Sequence, residues 1–473
     1  MNFQGLRLAV AGMGRSGLGV ALAAQRRGAR VTVLDEHSAD TPVALSQVER
    51  LQGAGVEVIT GWHGRLEPGF DLLVSSPGFR RNHPAHRDAQ THSIEIASEV
   101  EFAFRVSEAP IVAVTGTNGK STVTVFTWML LRAAGVDAVL CGNISGSGFP
   151  ELTLTEAADA SRPDQVLVAE ISSYQLEWVR HFRPRVASIT NITPDHLDRY
   201  DGFDDYYATK LRLFAAMGAG DVAVLNLSEP SLPRERLLAA ISPECEVREF
   251  TGSIQELDSL HGQRSHTQTR REPGALVLSG HQLDVGLLPV VGEHNYVNAL
   301  QAWEAASAFL ASRAAETLSS RLSAMSQLQG LRHRMQVLGE RGGVVVINSS
   351  MTTNPRAAQA CSESLPKRQH LLMGGKTKGL DFTPLRQYLE QSSHQVYVFG
   401  QNAVQLTADS LAVQMPNFDR FASLEEAFSA ATQNARAGEA ILLLPGCLSA
   451  FPFENFRDRG DAFIRLAEEW LQS

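Results

Sequence analysis

The sequence predicts an α/β protein of three successive domains, each a mostly parallel sheet covered by helices. Two observations carry this. Twice in the first third of the chain an apolar run enters a glycine-rich turn and leaves it in a helical pattern, at residues 6–27 and 111–134. Beyond them, short β-branched runs keep alternating with helical patterns, the order that builds parallel sheets. At 473 residues the chain has room for two to four domains of about 100–200 residues.

Composition narrows the class. Hydrophobic residues make up 44% and charged residues 20% of the chain, as in ordinary globular proteins. Forty-two basic against 51 acidic residues leave a net charge of −9, which argues against a broad basic face for nucleic acid. Cys141, Cys245, Cys361 and Cys447 lie far apart without a CxxC pair, so we expect reduced thiols and no zinc site. The start, MNFQGLRLAV, lacks a basic region followed by a long apolar one, and Arg132 and Asp137 interrupt the most apolar helical stretch. No signal peptide or transmembrane span is expected, and the expected location is the cytoplasm.

The first domain, residues 1–106, opens with a strand at 6–11 and the turn Gly12-Met13-Gly14-Arg15-Ser16-Gly17. A helical pattern at 20–27 and a strand at 30–34 follow, ending in Asp35-Glu36, so Asp35 lies 18 positions past the last glycine. This βαβ unit is close to a dinucleotide fingerprint and fits NAD or another nucleotide diphosphate, with an empty glycine turn as the plain alternative. Strands at 57–59 and 72–75, the turn Ser75-Ser76-Pro77-Gly78 and a helix at 99–105 complete a Rossmann-like domain.

The second domain, residues 107–325, starts with the strand at 111–114. Thr115-Gly116-Thr117-Asn118-Gly119-Lys120-Ser121-Thr122 follows, then a helix at 123–134. Strand, glycine turn and helix aim backbone N–H groups and a helix N-terminus at phosphate oxygens. Lys120 reaches the outer phosphates, and Ser121 or Thr122 offers a hydroxyl to Mg²⁺. The glycine spacing is two residues shorter than the common phosphate-loop pattern, and the stretch reads as an ATP site. Further strands are expected at 165–170, 186–191 and 222–225, with helices from Tyr174, at 206–217, 295–310 and 314–325, and an exposed polar loop at 254–273. Glu170 ends a strand, where ligands gather in open sheets. His196 follows the next strand between Asp195 and Asp198, and Lys210, 14 residues on, is by itself an ordinary surface lysine.

The third domain, residues 326–473, begins near Leu331-Arg332-His333-Arg334. Strands at 343–347, 370–373, 395–399 and 440–444 alternate with helices at 355–365, 424–435 and 460–471, again a Rossmann-like order.

GTNGKST at 116–122, the ELSSFQL-like Glu170–Leu176, the NxTxDHxDRY at Asn191–Tyr200 and HNxxNAL at His294–Leu300 together resemble the Mur ligase superfamily. The first glycine loop, the Ser76-Pro77-Gly78 turn and NFxxRGxxF at Asn455–Phe463 extend the resemblance over nearly the whole chain. It is strongest to the branch that joins D-glutamate to UDP-N-acetylmuramoyl-L-alanine in peptidoglycan precursor synthesis. The resemblance implies a cytoplasmic, monomeric, ATP-dependent amide ligase working through an acyl phosphate. It implies that Gly14, Arg15, Ser16, Asp35, Ser76, Gly78, Asn143 and Ser172 meet the UDP substrate. Gly116, Thr117, Asn118, Gly119, Lys120, Ser121, Thr122, Asn298 and Arg334 would meet ATP, with Asn295 nearby. Ser121, Glu170, His196 and Lys210 would hold two magnesium ions, Lys210 as a carbamate. Lys378, Ser449 and Phe456 would hold the incoming amino acid. Lys120, His196, Lys210 and Arg334 would carry the chemistry.

The chain departs from the family in its third domain. The usual NDSKATN is Asn348-Ser349-Ser350-Met351-Thr352-Thr353-Asn354, so Ser349 replaces an acid and Met351 a lysine; Lys376 stands where an aspartate is common. Compensated drift explains this, and so does a changed acceptor such as L-glutamate. A folylpolyglutamate-synthase-like ligase would not need the first glycine loop. An NAD-linked oxidoreductase would leave Lys120, Glu170 and His196 idle, and a non-catalytic nucleotide-binding paralogue would have no use for Lys210 or Lys378.

Overall fold

Five short strands, β1 (Arg7–Ala11), β2 (Arg30–Asp35), β3 (Glu57–Thr60), β4 (Leu72–Ser75) and β5 (Glu95–Ser98), form a parallel sheet in the order β3-β2-β1-β4-β5. Leu8, Val10, Val31, Val33, Leu72 and Val74 pack on one face, and Ala9, Ala11, Leu34 and Leu73 on the other. A sheet covered on both faces needs apolar residues at consecutive positions, as these strands have. The order reverses between β1 and β4, so the loops after Ala11 and Ser75 flank a switch point. The structure, a computed structural model, describes residues 2–252, 268–311, 318–365, 367–376, 381–400 and 417–473, with residues 318–321 as backbone alone.

The second sheet is also parallel. Strands β6 (Ile111–Thr115), β7 (Ala138–Gly142), β8 (Val166–Glu170), β9 (Val186–Ile189), β10 (Val222–Asn226) and β11 (Glu246–Phe250) run in the order β11-β10-β9-β6-β8-β7. Central β6 ends at the Gly116 turn, and neighbouring β8 ends on Glu170. A small antiparallel sheet follows, from β12 (Arg270–Glu272), β13 (Ala275–Leu278) and β14 (His281–Asp284). The last sheet contains β15 (Gln336–Arg341), β16 (Val344–Asn348), β17 (Gln369–Met373), β18 (Gln395–Phe399), β19 (Phe418–Phe421) and β20 (Ala440–Leu443), in the order β15-β16-β20-β17-β18-β19. All its neighbours are parallel except β15 and β16.

The chain divides into two compact units. One comprises residues 1–145, 150–285 and 297–326, and therefore both glycine turns; the other comprises residues 146–149, 286–296 and 327–473. Within the first unit, carboxylates from the end of the first sheet reach into the second. Glu101, fully buried, accepts the backbone N–H groups of Arg180, His181 and Phe182, each at 2.9 Å, and pairs with Arg105 at 2.9 Å. Glu99, 1% exposed, accepts from Thr155 N at 2.7 Å and Gln175 Nε2 at 3.0 Å. Burial raises its pKa, which favours the protonated acid.

The structure differs from the expected elements at three places. The helix expected from Tyr174 is a single 3₁₀ turn, Tyr174–Leu176. Gln175 folds back there, its Oε1 accepting from Ser172 N at 2.9 Å and Ser172 Oγ at 3.0 Å. The polar loop expected at 254–273 contains a strand at its end, where Arg271 is buried and donates to Ala275 O at 2.8 Å; residues 254–267 lie outside the described residues. The helix expected at 206–217 starts earlier and ends at Leu211, continuing as the 3₁₀ turn Arg212–Phe214. Strands β5, β7, β11, β13, β14, β15 and β19 and the helices Pro42–Gly53, Pro84–Thr91, Leu154–Asp159, Arg234–Leu238 and Thr383–Gln391 were additional to those expected.

Candidate functional site

The first glycine turn opens onto a cavity of about 800 Å³. Gly14, Arg15, Ser16, Asp35, Ser76 and Gly78 all line it, so the structure brings these expected residues together. The helix Arg15–Arg26 begins at Gly14 with no side-chain cap, which leaves its first N–H groups open to an anion. Asp35 is already committed: Oδ2 accepts Met13 N at 2.6 Å and Oδ1 accepts His37 N at 2.9 Å. It therefore shapes the turn, a role that the dinucleotide comparison did not suggest. Phe79 and His83, absent from the expected set, also line the cavity. Their rings meet edge-on at 4.8 Å.

The second turn is braced from outside. Gly116 has φ +144°, and a Cβ there would lie 1.9 Å from Thr190 Oγ1. Thr117 N donates to Asn191 O at 2.8 Å, Asn118 N to Asn191 Oδ1 at 2.9 Å, and Thr190 Oγ1 to Asn118 O at 2.5 Å. Thr117 Oγ1 lies 2.9 Å from the Tyr206 hydroxyl and accepts from Thr193 N at 3.0 Å. Thr190, Asn191, Thr193 and Tyr206 thus fix the loop from the neighbouring strand end and a later helix. Their sequence signal is the polar run after β9. At Gly119, φ is +80°, and a Cβ would lie 2.7 Å from Asn298 Oδ1. The helix Lys120–Ala133 also starts without a side-chain cap, and Lys120 Nζ donates to Thr117 O at 2.9 Å.

Around this loop the metal-ligand types converge. Ser121 Oγ lies 2.5 Å from Glu170 Oε2, and Asn143 Nδ2 lies 3.3 Å from Glu170 Oε1. Gly142 permits this approach, since a Cβ there would be 2.2 Å from Glu170 O. His196 adopts φ +53°, Asp195 Oδ1 accepts its N–H at 2.9 Å, and its Nδ1 lies 2.8 Å from the Tyr174 hydroxyl. Burial, with Lys120 and Lys210 nearby, lowers its pKa against the opposing pull of Asp195. Lys210 is buried, donates to Gly116 O at 2.6 Å and lies 4.9 Å from the Tyr206 ring centre. Desolvation, reinforced by Lys120, brings its pKa well below the ordinary lysine value. Among the described residues no three His, Cys, Asp or Glu side chains form a ready-made metal cluster. A serine hydroxyl and one carboxylate fit magnesium nevertheless, because that ion keeps waters and takes substrate phosphates as its remaining ligands.

A family model described as the Mur ligase middle domain matches residues 114–306, and one described as the Mur ligase, glutamate ligase domain, matches residues 333–447. The UDP-N-acetylmuramoylalanine--D-glutamate ligase of Pelotomaculum thermopropionicum is 36% identical over 471 residues, 98% of this chain and 97% of that one. The chain belongs to the Mur ligase family. The ligase of the same name from Pectobacterium atrosepticum is 34% identical, over 99% of each chain. In fold, this Mur ligase is similar to the MurF ligase from Thermotoga maritima solved in complex with ADP, with TM-score 0.57, 16% identity, and coverage of 99% of this chain and 96% of that one. It is likewise similar to the UDP-N-acetylmuramate-alanine ligase of the same organism, with TM-score 0.56, 17% identity, and coverage of 98% and 100%. Among the described residues no helix is long and apolar enough to cross a membrane.

Expected residues Asn295, Arg334, Ser449 and Phe456 lie in the second unit, and Thr122 and Ser172 in the first. Arg334 sits between His333 and Met335, whose φ values of +63° and +47° put both in the left-handed region. Such a turn survives only where its surroundings over-determine it: His333 N donates to Gln336 Oε1 at 3.0 Å, and Asn348 Nδ2 lies 3.1 Å from His333 Nδ1. Gly460 leaves room for that ring, since a Cβ would be 2.2 Å from Nδ1. Asn295 is buried and donates to Val291 O at 2.7 Å. Phe456 opens the helix Phe456–Gln472, capped by Asn455, and its carbonyl accepts from Ser350 Oγ at 2.8 Å. Among the described residues the Ser449 hydroxyl is buried without a hydrogen-bond partner. Lys378 lies outside the described residues. Ser349 is 1% exposed and its Oγ lies 2.9 Å from Thr352 Oγ1, while Met351 is half-buried and Lys376 exposed.

Proposed function

We propose that this Mur ligase joins D-glutamate to UDP-N-acetylmuramoyl-L-alanine at the expense of ATP, as a cytoplasmic monomer. The observation that carries this reading is one compact unit holding both glycine turns: one open onto a large cavity, the other with a lysine, a serine hydroxyl and a carboxylate gathered at its helix start. Residues 1–106 then bind the uridine diphosphate part of the substrate, residues 107–325 bind ATP, and residues 326–473 bind the amino acid. The relatives' names carry both substrates, UDP-N-acetylmuramoylalanine and D-glutamate.

A carboxylate is a poor acyl donor because oxide is a poor leaving group. An oxygen of the alanyl carboxylate attacks the γ-phosphorus of ATP, the bond to ADP breaks, and an acyl phosphate forms. The amine of the amino acid then adds to the acyl carbon, loses a proton, and inorganic phosphate departs as the amide forms. Lys120 and Arg334 neutralise charge developing on the transferring group. The uncapped N–H groups at Lys120 hold phosphate oxygens in place. Magnesium, when bound, spreads the phosphate charge; Ser121 and Glu170 hold one ion, and His196 and Lys210 the other. Lys210, once deprotonated, would bond through Nζ to the carbon of carbon dioxide and release a proton, giving a carbamate that would serve as an anionic ligand. Asn298 and Asn295 border the nucleotide, and Asn143 and Ser172 the substrate. Ser449, with Phe456 and Lys378, receives the amino acid.

The Ser349 and Met351 changes remove an acid and a base together, and the buried serine is satisfied by Thr352. That pair favours tolerated variation, while Lys376, a cation where an aspartate is common, leaves a changed acceptor for the assay to decide. Phosphate release with ATP, Mg²⁺ and UDP-N-acetylmuramoyl-L-alanine, with D-glutamate or L-glutamate in parallel, tests the reading. Release with D-glutamate alone is expected; release with L-glutamate alone assigns a different acceptor, and release with neither overturns the ligase.

A further inference from the structure

We propose that Tyr174 is a positioning residue for His196, holding the imidazole through Nδ1 so that Nε2 keeps a free electron pair. The metal-binding consequence rests on His196 being a magnesium ligand, as read above, whereas the tautomer does not.

A neutral imidazole has one N–H and one acceptor nitrogen, and the partner of the first decides which is which. His196 Nδ1 lies 2.8 Å from the Tyr174 hydroxyl, with the rings 4.9 Å apart. Among the described residues the other nitrogen has no comparable partner: Asp195 Oδ2 is 3.6 Å from Nε2, beyond hydrogen-bond range. The other oxygen of Asp195 accepts the backbone N–H of His196. A proton on Nε2 would therefore have only solvent to accept it, the ring being half exposed, whereas a proton on Nδ1 has the phenol oxygen; the phenol can instead donate to an unprotonated Nδ1, and the tautomer measurement below separates the two. With Nδ1 donating, the Nε2 lone pair is available to a cation.

Tyr174 is itself held. The Arg199 guanidinium stacks 4.1 Å from its ring centre, and buried Glu177 fixes Arg199 through contacts of 2.7 and 2.8 Å. A cation over the ring and a carboxylate behind the cation restrict the phenol to one direction. His196 needs such a restraint, because its φ of +53° lies in the left-handed region that a non-glycine residue adopts only where its surroundings hold it there. Partners behind metal-binding histidines set ring orientation and tautomer, and removing them weakens metal binding about 10–100-fold.

Tyr174→Phe removes one oxygen and keeps the ring under Arg199. Ring ¹⁵N–¹H correlation spectra of the full, metal-free chain at about pH 8, where imidazoles are neutral, report the tautomer, with His196→Gln identifying the signal. We expect His196 protonated on Nδ1 in the wild type and shifted toward Nε2–H in Tyr174→Phe. We also expect Mn²⁺ binding, followed by electron paramagnetic resonance with a non-hydrolysable ATP analogue, to weaken by about tenfold. Wild-type His196 protonated on Nε2, or a variant with unchanged tautomer, overturns the proposal. A shifted tautomer with unchanged Mn²⁺ affinity overturns its role toward the metal. If the tautomer and affinity shift as expected while neither glutamate supports phosphate release, the positioning stands and the assigned reaction falls.

Discussion

The two glycine turns share a topology and differ in how they are built. Each follows a central strand of a parallel sheet, and each starts a helix without a side-chain cap. The turn at Gly12 is held by one carboxylate, Asp35, and faces a wide cavity. The turn at Gly116 is braced by Thr190, Asn191 and Thr193, with a lysine folded over it and Glu170 beneath its serine. A loop that only recognises a diphosphate tolerates open space around it. A loop that must hold phosphates in line during transfer needs its backbone fixed from several sides.

The sharpest break in this comparison is Lys120→Ala. Phosphate release is expected to fall by about 10³-fold or more, while calorimetry should find the UDP substrate bound within about twofold of wild type, the two sites being separate. An equal loss at both would mean the loops do not divide the work. Next come alanines at the turn glycines. At Gly116 the added Cβ meets Thr190 Oγ1 at 1.9 Å and Asn191 O at 3.1 Å; at Gly12 it meets Phe79 Cε2 at 3.0 Å. Both have positive φ, so both should destabilise in urea titration, Gly116→Ala by about 2–4 kcal/mol and Gly12→Ala by about 1–2 kcal/mol. The reverse order would contradict the tighter bracing of the second turn.

Arg15 lines the first cavity and is tied to Glu151. Arg15→Ala should raise KM for the UDP substrate by about tenfold with kcat nearly unchanged, the mark of binding lost equally in ground and transition states. A fall in kcat alone would move Arg15 into the chemistry. The smallest effect concerns pH. His86 lies behind the first turn, 2.9 Å from Ser75 Oγ, and burial lowers its pKa to about 4. The unfolded chain binds that proton near 6.5. Its contribution is therefore complete above pH 6.5 and is lost as pH falls from 6.5 toward 4. Melting measured across that range should flatten in His86→Asn. The flattening is partial, because buried His333 in the other unit titrates in the same direction.

Most of the architecture was legible from residues. Strand, glycine turn and helix announce themselves through β-branched runs and punctuation, and the structure places Gly14, Arg15, Ser16, Asp35, Ser76 and Gly78 on one cavity as the sequence led us to expect. Ser121 and Glu170, 49 positions apart, are in contact. What the sequence hid were residues whose environment contradicts their type. Glu99 and Glu101 read as acids in a helix's first turn, yet both are buried. Arg271 reads as loop polarity, yet its side chain is buried against β13. Tyr174 resembled part of a signature, but nothing in the sequence tied its hydroxyl to a histidine 22 residues away. Partners of that kind come from tertiary packing, which local periodicity does not encode.

The carboxylates joining the two parallel sheets of the first unit have one further consequence. Glu101 clasps three successive amides beyond the second sheet's 3₁₀ turn, and Glu177 clamps Arg199, whose Nη2 also donates to Phe79 O at 2.7 Å beside the first cavity. On the proposed reading, these ties make the span between the two turns a ruler. A donor whose sugar and peptide are too short or too long seats its diphosphate at one end and misses the γ-phosphate at the other, so selection among cell-wall precursors would begin with length.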